Sequence, residues 1–442
     1  MSRLRAPGRL ADRLRLAALV PALFWPLPAA HALQPLSEFV AAAAQQNPDV
    51  QAAAARAEAS EANATASWRR LWPTLAARAS YTRNENESVA RLPGPNGTTR
   101  DVTMQSYDQL DGLLSLEVPL VDVGAWRATA AVDASEAAAQ ARRAEVEHAL
   151  VRAVTRVWHQ IVSAEAVRAA ALSAIGASEE SLTQAKARVA AGRASELEVF
   201  RATAELATAH EALATADNLV AVSRRALASL SGTQPAEGAG PLTVGLEEPT
   251  PLAALQQETP AVPGVRAARL DAKQAAAEAD AQGAGWLPTL GATLNERYTN
   301  AEGFSGENAA WSAVIALNWR LDGVTFARTS AARATATAQQ ATSRRVEQAA
   351  ADDVHDAWQA VRAQIARVRA ARAREDATHA GARLARDRFG GGVATQLEAI
   401  QADRDAFSAE VTRIQAEAEL AFARLDLELA RGDRDPAGGG AP

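Results

Sequence analysis

The sequence predicts an elongated, duplicated fold in which long α-helical hairpins carry short membrane β-strands, four per protomer. Three observations predict it. Residues 188–199, RVAAGRASELEV, return 200 positions later as residues 388–399, RFGGGVATQLEA. No proline occurs between Pro119 and Pro235 or between Pro288 and Pro436. Each Pro-Thr-Leu tripeptide, at Pro73 and at Pro288, is followed by runs that alternate apolar and polar residues, the period of a strand with two unlike faces.

The repeat extends beyond the tips. The same offset aligns Trp158 with Trp358, Arg188 with Arg388, Leu197 with Leu397, Leu227 with Leu427 and Gly232 with Gly432, and a long-period match of sparse residue types marks an internal duplication. It divides the chain into a signal peptide (1–32), a first repeat (33–232), a linker (233–262), a second repeat (263–432) and a disordered tail (433–442). Aromatic residues make up only 5% of the 442-residue chain, so its apolar content is mainly alanine and other small side chains. That composition suits long helices in close contact better than a bulky globular core.

The first 32 residues have the layout of a secretory signal. Arg3, Arg5, Arg9, Arg13 and Arg15 form a positive start, LAALVPALFWPLP supplies an apolar run shorter than a membrane span, and Ala30-His31-Ala32 offers small residues for cleavage. Removing five Arg and one Asp takes away a net +4, which changes the formal charge from −6 to −10. A mature chain that acidic is no candidate for nucleic-acid binding. Cysteine is absent, so neither a disulfide, nor a metal-thiolate site, nor an acylated N-terminal cysteine is available. No other segment approaches about 18 continuous apolar residues, which argues against a spanning helix.

From Leu36 to Trp72 the chain is helical in character, with Pro48 placed at a helix start after Asn47. Beyond the first Pro-Thr-Leu, Leu75, Ala77, Ala79 and Tyr81 alternate with Arg78, Ser80 and Thr82, and Leu110, Leu114, Leu116, Val118 and Leu120 alternate with Gln109, Asp111, Ser115 and Glu117. The second copy repeats the scheme, with Leu290, Ala292, Leu294 and Tyr298 against Thr293, Asn295 and Arg297, then Trp311, Ala313, Ile315, Leu317, Trp319 and Leu321 against Ser312, Asn318 and Arg320. Little in the chain could cover their apolar face, and aromatic residues stand near their ends. Both features fit membrane strands of about 9–11 residues. Four strands cannot close a barrel, whereas three chains supplying twelve could, which would remove every exposed edge. The connections at 84–107 and 299–309, rich in Gly, Pro and Asn, are expected to be surface loops.

The proline-free reaches predict helices over about 124–188 and 323–388, each on the order of 100 Å long at 1.5 Å per residue. Val354, Trp358, Val361, Ile365 and Val368 step by four and three, as do Val146, Leu150, Val154, Val157 and Ile161, the spacing of coiled packing. Gly192 and Gly392 then break the helices, and Ser195 and Thr395 are placed to cap the ones that return. The segment between the repeats is rich in Pro and Gly and irregular, and is read as a linker or a small side (equatorial) element, not a core.

Catalytic and metal chemistry find no residues to carry them. The six histidines are scattered, with no paired ligand spacing, and Gly390-Gly391-Gly392 lacks the Lys and Ser/Thr of a phosphate loop. No cofactor is expected, and the chain is not read as an enzyme.

In the order and duplication of these features the chain resembles the TolC-like family of outer-membrane efflux and secretion ducts. The resemblance rests on LWPTL and WLPTL, on the strand pairs, on Val118-Pro119-Leu120-Val121-Asp122 with its counterpart Trp319-Arg320-Leu321-Asp322-Gly323, and on the two Arg-xxx-Gly tips followed by Leu-Glu. It covers nearly the whole mature chain. It implies a homotrimer whose outer-membrane β-barrel continues into a periplasmic α-helical barrel, with outer-membrane lipid around the former. It further implies an adaptor (membrane fusion) protein at the periplasmic tips and an inner-membrane pump of the resistance-nodulation-division or ABC type. In that family an acidic position after the second tip forms a cation-attracting ring; Glu398 holds it here, Glu198 holds its counterpart, and Gln401 stands where a second acid can occur. Arg188, Gly192, Ser195, Arg388, Gly392 and Thr395 are the residues expected to shape the tips and meet the adaptor. The function implied is the exit duct of a tripartite efflux system. The alternatives are the duct of a type I protein secretion system and, from another class, a periplasmic coiled-coil adaptor or rod, which would have no amphipathic strand pairs.

Overall fold

The computed structural model describes residues 33–93, 97–238, 244–255, 262–305 and 307–432. The expected signal peptide (1–32) and tail (433–442) lie outside the described residues, as do residues 94–96 and Gly306 of the two loops.

Among the described residues, eight α-helices and six strands are divided between two repeats of similar order. The first repeat runs α1 (Leu36–Gln46), α2 (Pro48–Arg69), β1 (Thr74–Arg83), β2 (Ser88–Pro93), β3 (Thr99–Gln105), β4 (Asp108–Val121), α3 (Val123–Ala190) and α4 (Glu196–Ser231). A short α5 (Leu252–Leu255) lies between the repeats, and the second repeat runs α6 (Pro263–Gly283), β5 (Thr289–Thr299), β6 (Ala309–Asn318), α7 (Gly323–Gly390) and α8 (Gln396–Arg431). The two long helices are each 68 residues, and the two returning helices are each 36.

Local chemistry starts these helices where the chain requires it. Asp122 and Asp322 each accept the backbone N–H three residues on, at 2.8 Å, and so satisfy an otherwise orphaned donor at the starts of α3 and α7. Between α1 and α2 the buried Asn47 accepts from the Asp49 N–H at 2.9 Å and donates to the Leu230 carbonyl at 3.1 Å. It thereby caps α2 and pins it to the end of α4, and the helical stretch from Leu36 is broken there, with Pro48 as the first residue of the second piece.

The hairpins close on small residues at heptad spacing. Ala164, Ala171, Ser178 and Ala185 are buried on α3, and Ala202, Ala209, Ala216 and Ser223 on α4. Thr329, Ala336, Ser343, Ala350 and Ala357 on α7 and Ala409, Ala416, Ala423 and Ala430 on α8 repeat the pattern. A seven-residue repeat keeps one stripe facing the partner in a left-handed supercoil, and small side chains in that stripe bring the axes close. α3 packs on α4, α7 on α8, and the two hairpins meet along α3 and α8. Nearer the strands the neighbours run α2, α3, α6, α7, the order in which the strands leave the sheet.

The larger apolar residues serve a second purpose. Val154, Ile161 and half-buried Trp158 pack with Phe39 and Ala43 of α1 and with Leu227, whereas Val354, Val361, Ile365 and Val368 pack with Val244, Leu255 and α8. The described part of the inter-repeat segment therefore packs its apolar residues against the second hairpin. The equivalent tryptophans show how it is held: Trp158 Nε1 donates to the Gln34 carbonyl at 3.1 Å and Trp358 Nε1 to the Thr250 carbonyl at 2.9 Å. Arg369, Arg372 and Arg424 add bonds to the carbonyls of residues 244–247. Each hairpin is thus wrapped at mid-height by an extended stretch of chain.

Four strands form one antiparallel sheet in the order β1-β4-β5-β6. The register puts Leu75, Ala77, Tyr81, Leu110, Leu114, Leu116, Leu294, Tyr298, Trp311, Ile315 and Leu317 on one face and Arg78, Ser80, Gln109, Asp111, Ser115, Thr293, Asn295, Arg297 and Ser312 on the other. The apolar face is bare, with Trp311 at 72% and Ile315 at 74% exposure. Neither β1 nor β6 has a partner on its outer edge among the described residues.

Among the described residues there are six strands: the expected four form this sheet, and two more lie outside it. β2 and β3 pair in a separate hairpin within the stretch expected to be a loop, with Arg91 salt-bridged to Asp101 at 2.9 Å. The hairpin leans on the loop between β5 and β6, where Arg100 meets Glu302 at 3.4 Å. Six- and seven-residue strands with a Pro-Gly cluster between them carry too little alternation to be seen as strands. β6 also ends at Asn318, short of Trp319 and Leu321, because the chain turns there to cap α7 at Asp322. α3 contains an 18-residue window with a mean hydropathy of 1.3, apolar enough for a span by composition although polar residues interrupt it. That window belongs to a 68-residue helix packed on α4, α6 and α8, so its apolar character serves helix packing.

Candidate functional site

The two hairpin tips lie side by side at the end of the molecule remote from the sheet. Each turns on a glycine in the left-handed region, Gly192 at φ 70° and Gly392 at φ 74°. The backbone bonds match: Gly192 N–H to Val189 O at 2.9 Å and Arg193 N–H to Arg188 O at 2.9 Å in the first, Gly392 N–H to Phe389 O at 3.0 Å and Val393 N–H to Arg388 O at 2.8 Å in the second. These bonds satisfy the last carbonyls of α3 and α7, and only glycine adopts that φ without strain.

Ser195 and Thr395 begin the returning helices. Ser195 Oγ accepts from the Leu197 N–H at 3.1 Å. Thr395 forms a reciprocal box, in which its hydroxyl accepts the Glu398 N–H at 3.3 Å while Glu398 Oε2 accepts the Thr395 N–H at 3.0 Å.

The two glutamates therefore have different surroundings. Glu398 is exposed and its carboxylate closes its own helix; Gln401, one turn on, is exposed too. Glu198 is half-buried, its Oε2 has no hydrogen-bond partner among the described residues, and Arg188 Nε stands 4.0 Å away. The first tip holds its carboxylate inside the tip contact, and the second presents its own to solvent.

Residues that the sequence did not single out join the tips. Arg188 lays its guanidinium 4.4 Å over the ring of Phe389, and the buried Gln396 donates to the Glu198 carbonyl at 2.8 Å. Farther up, Arg404 of α8 pairs with Glu205 of α4, and Arg386 pairs with Asp403 at 2.8 Å. The contacts between the hairpins span some 200 positions and leave no local signature, whereas Arg386 and Asp403 close the second hairpin on itself. The one available hint was that residues matched by the repeat would lie near one another at the tips. Among the described residues no group of His, Asp and Glu is placed to hold a metal ion.

A sheet with one bare apolar and one polar face, continuing through a wall of helices to paired tips about 100 Å away, defines a membrane-embedded duct with a long extension on one side. The chain belongs to the outer membrane efflux protein family, whose model matches residues 40–233 and 254–433. It is an outer-membrane efflux channel with a periplasmic helical extension.

Solved structures share the fold. The chain is similar to the outer-membrane channel OprN, with 23% identity, 90% of each chain covered and a TM-score of 0.76. It is similar to VceC of Vibrio cholerae, with 19% identity over 90% of this chain and 96% of that one and a TM-score of 0.75. The open state of the Neisseria gonorrhoeae channel MtrE matches with 22% identity over 91% of this chain and 89% of that one and a TM-score of 0.73. No curated protein sequence matches the chain.

Proposed function

We propose that three copies of this chain join through β1 and β6 into a twelve-stranded barrel and helical tunnel, which serves as the passive exit duct of a tripartite efflux system. The observation that carries this reading is the pair of open edges on a sheet whose apolar face is bare. An isolated protomer would expose both to lipid, and unpaired backbone is not tolerated there. The partners are a periplasmic adaptor at the tips and an inner-membrane pump, with lipid around the strands. Transport through such a duct needs no catalysis, so the chain is read as no enzyme.

At the tips, Arg188, Gly192, Ser195, Arg388, Gly392 and Thr395 supply the geometry the adaptor meets. Glu398, exposed while it caps its helix, contributes to an acidic ring that attracts cations, and Glu198 supports the tip from within. Gln401 leaves that ring without a second tier. A type I secretion duct would differ only in its inner-membrane partner.

Planar-bilayer recording on the mature protein tests the reading, with its mass in detergent measured by ultracentrifugation. A trimer with single-channel conductance is expected. A monomer that inserts no channel would refute it.

A further inference from the structure

Three buried polar atoms on one face of α3 have no hydrogen-bond partner among the described residues: Thr155 Oγ1 and both ring nitrogens of His159. Thr155 is fully buried and His159 is 7% exposed. Other helical threonines, such as Thr183, Thr203 and Thr412, turn the hydroxyl back to the carbonyl four residues earlier; Thr155 does not. Burying polar atoms unpaired costs free energy, so this stretch is held more weakly than an apolar one.

The position of these atoms gives the weakness a direction. They are one helical turn apart on the side of α3 that meets α8. Arg152 pairs with Asp426 and Arg156 lies 4.6 Å over the Phe422 ring on one side of them. On the other, Val162 and Ala166 share a cleft of about 360 Å³ with Ile414, Arg413 and Glu417. That contact is where the first hairpin touches the second. Burial alone pushes the His159 imidazole down to about 4.

The charged groups around the ring are already engaged. On α3, Arg152 and Arg156 face Asp426 and Phe422, and Glu165 is bound by Arg224 of α4. On α8, Glu417 is bound by Arg372 of α7 and by Arg413. The only acid of α1, Glu38, is exposed. Among these groups no unengaged carboxylate faces the ring.

We propose that the α3–α8 contact is a proton-responsive joint between the two hairpins, closed while His159 is neutral and loosened when the ring takes a proton from periplasmic water. The sign follows from linkage. The ring binds protons more weakly packed than hydrated, where its ordinary value is 6.5, so the packed joint is fully favoured above about pH 6.5. It loses ground as pH falls toward 4. Between pH 7 and pH 5 the ratio of loosened to packed joints rises roughly 20-fold in each protomer.

The absence of native cysteine permits a direct test. Spin labels on Q160C of α3 and Q415C of α8, both exposed in the protomer, would report the distance across the joint, with labelled subunits diluted in unlabelled trimers. The longer-distance population is expected to grow at least tenfold from pH 7 to pH 5 and to stay constant in His159→Phe. An unchanged distribution in the parent protein, or the same change in His159→Phe, would overturn the proposal. Imidazole NMR of the parent protein needs no variant at His159: titration near 4 to 5 supports the joint, and titration near 6.5 overturns it.

Discussion

The guanidinium of Arg188, in the last turn of α3, lies 4.4 Å over the ring of Phe389, in the last turn of α7. Together with the Gln396 to Glu198 bond at 2.8 Å, it couples the two tips of one protomer. A double-mutant cycle of Arg188→Ala and Phe389→Ala should show a coupling of roughly 0.5–1 kcal/mol. Hydrogen exchange over residues 186–200 and 386–400 is the measurement. Additive effects would show that the contact contributes nothing beyond its separate parts.

Gly392 and its neighbour Gly391 should respond in opposite ways to alanine. Gly392 sits at φ 74° and Gly391 at φ −76°. Gly392→Ala is expected to cost about 1 kcal/mol or more through left-handed strain. Gly391→Ala should be neutral or slightly stabilising, because a Cβ there meets the nearest carbonyl at 3.5 Å, an ordinary contact. Local exchange rates at the tip would separate the two.

Glu398 has two tasks that two substitutions can divide. Glu398→Gln keeps an oxygen for the Thr395 N–H and removes the charge, so the helix start should hold while cation selectivity falls. Glu398→Ala loses both, with an added cost of about 0.5–1 kcal/mol for the cap. Reversal potentials in a salt gradient, with thermal melts alongside, decide the matter; unchanged selectivity in Glu398→Gln would remove it from the permeation path.

On the bare face of the sheet, Glu296 stands opposite Leu114 and Trp311, three residues from the end of β5. The alternation read from the sequence passed over it. A carboxylate facing lipid near the interface destabilises a barrel by a modest amount, so Glu296→Leu should stabilise the folded protein in lipid by roughly 1 kcal/mol. An urea-unfolding series in vesicles measures it.

Much of the architecture was legible because it rests on local rules. Proline-free reaches fixed the long helices to within a few residues, Ser195 and Thr395 announced the starts of the returning ones, and Leu75 to Tyr81 and Trp311 to Leu317 declared their faces by alternation. What escaped depends on distant partners. Val244 and Leu255 are buried only because α7 and α8 lie beneath them, and β2 exists because β3 faces it. At the tips, Glu198 and Glu398 read alike in sequence and diverge in structure, since one touches the neighbouring hairpin and the other does not.

The alanine stripes also set a gauge. In a closed ring of helices the circumference is the sum of the gaps between neighbouring axes, and here those gaps are kept narrow by side chains of a single methyl at Ala209, Ala416 and their heptad mates. In the proposed trimer a methylene added to any one stripe would recur in every subunit and enlarge the whole hoop. The bore of the conduit is thereby written in its smallest residues, and calibre can be inherited or altered without touching a single pore-lining charge.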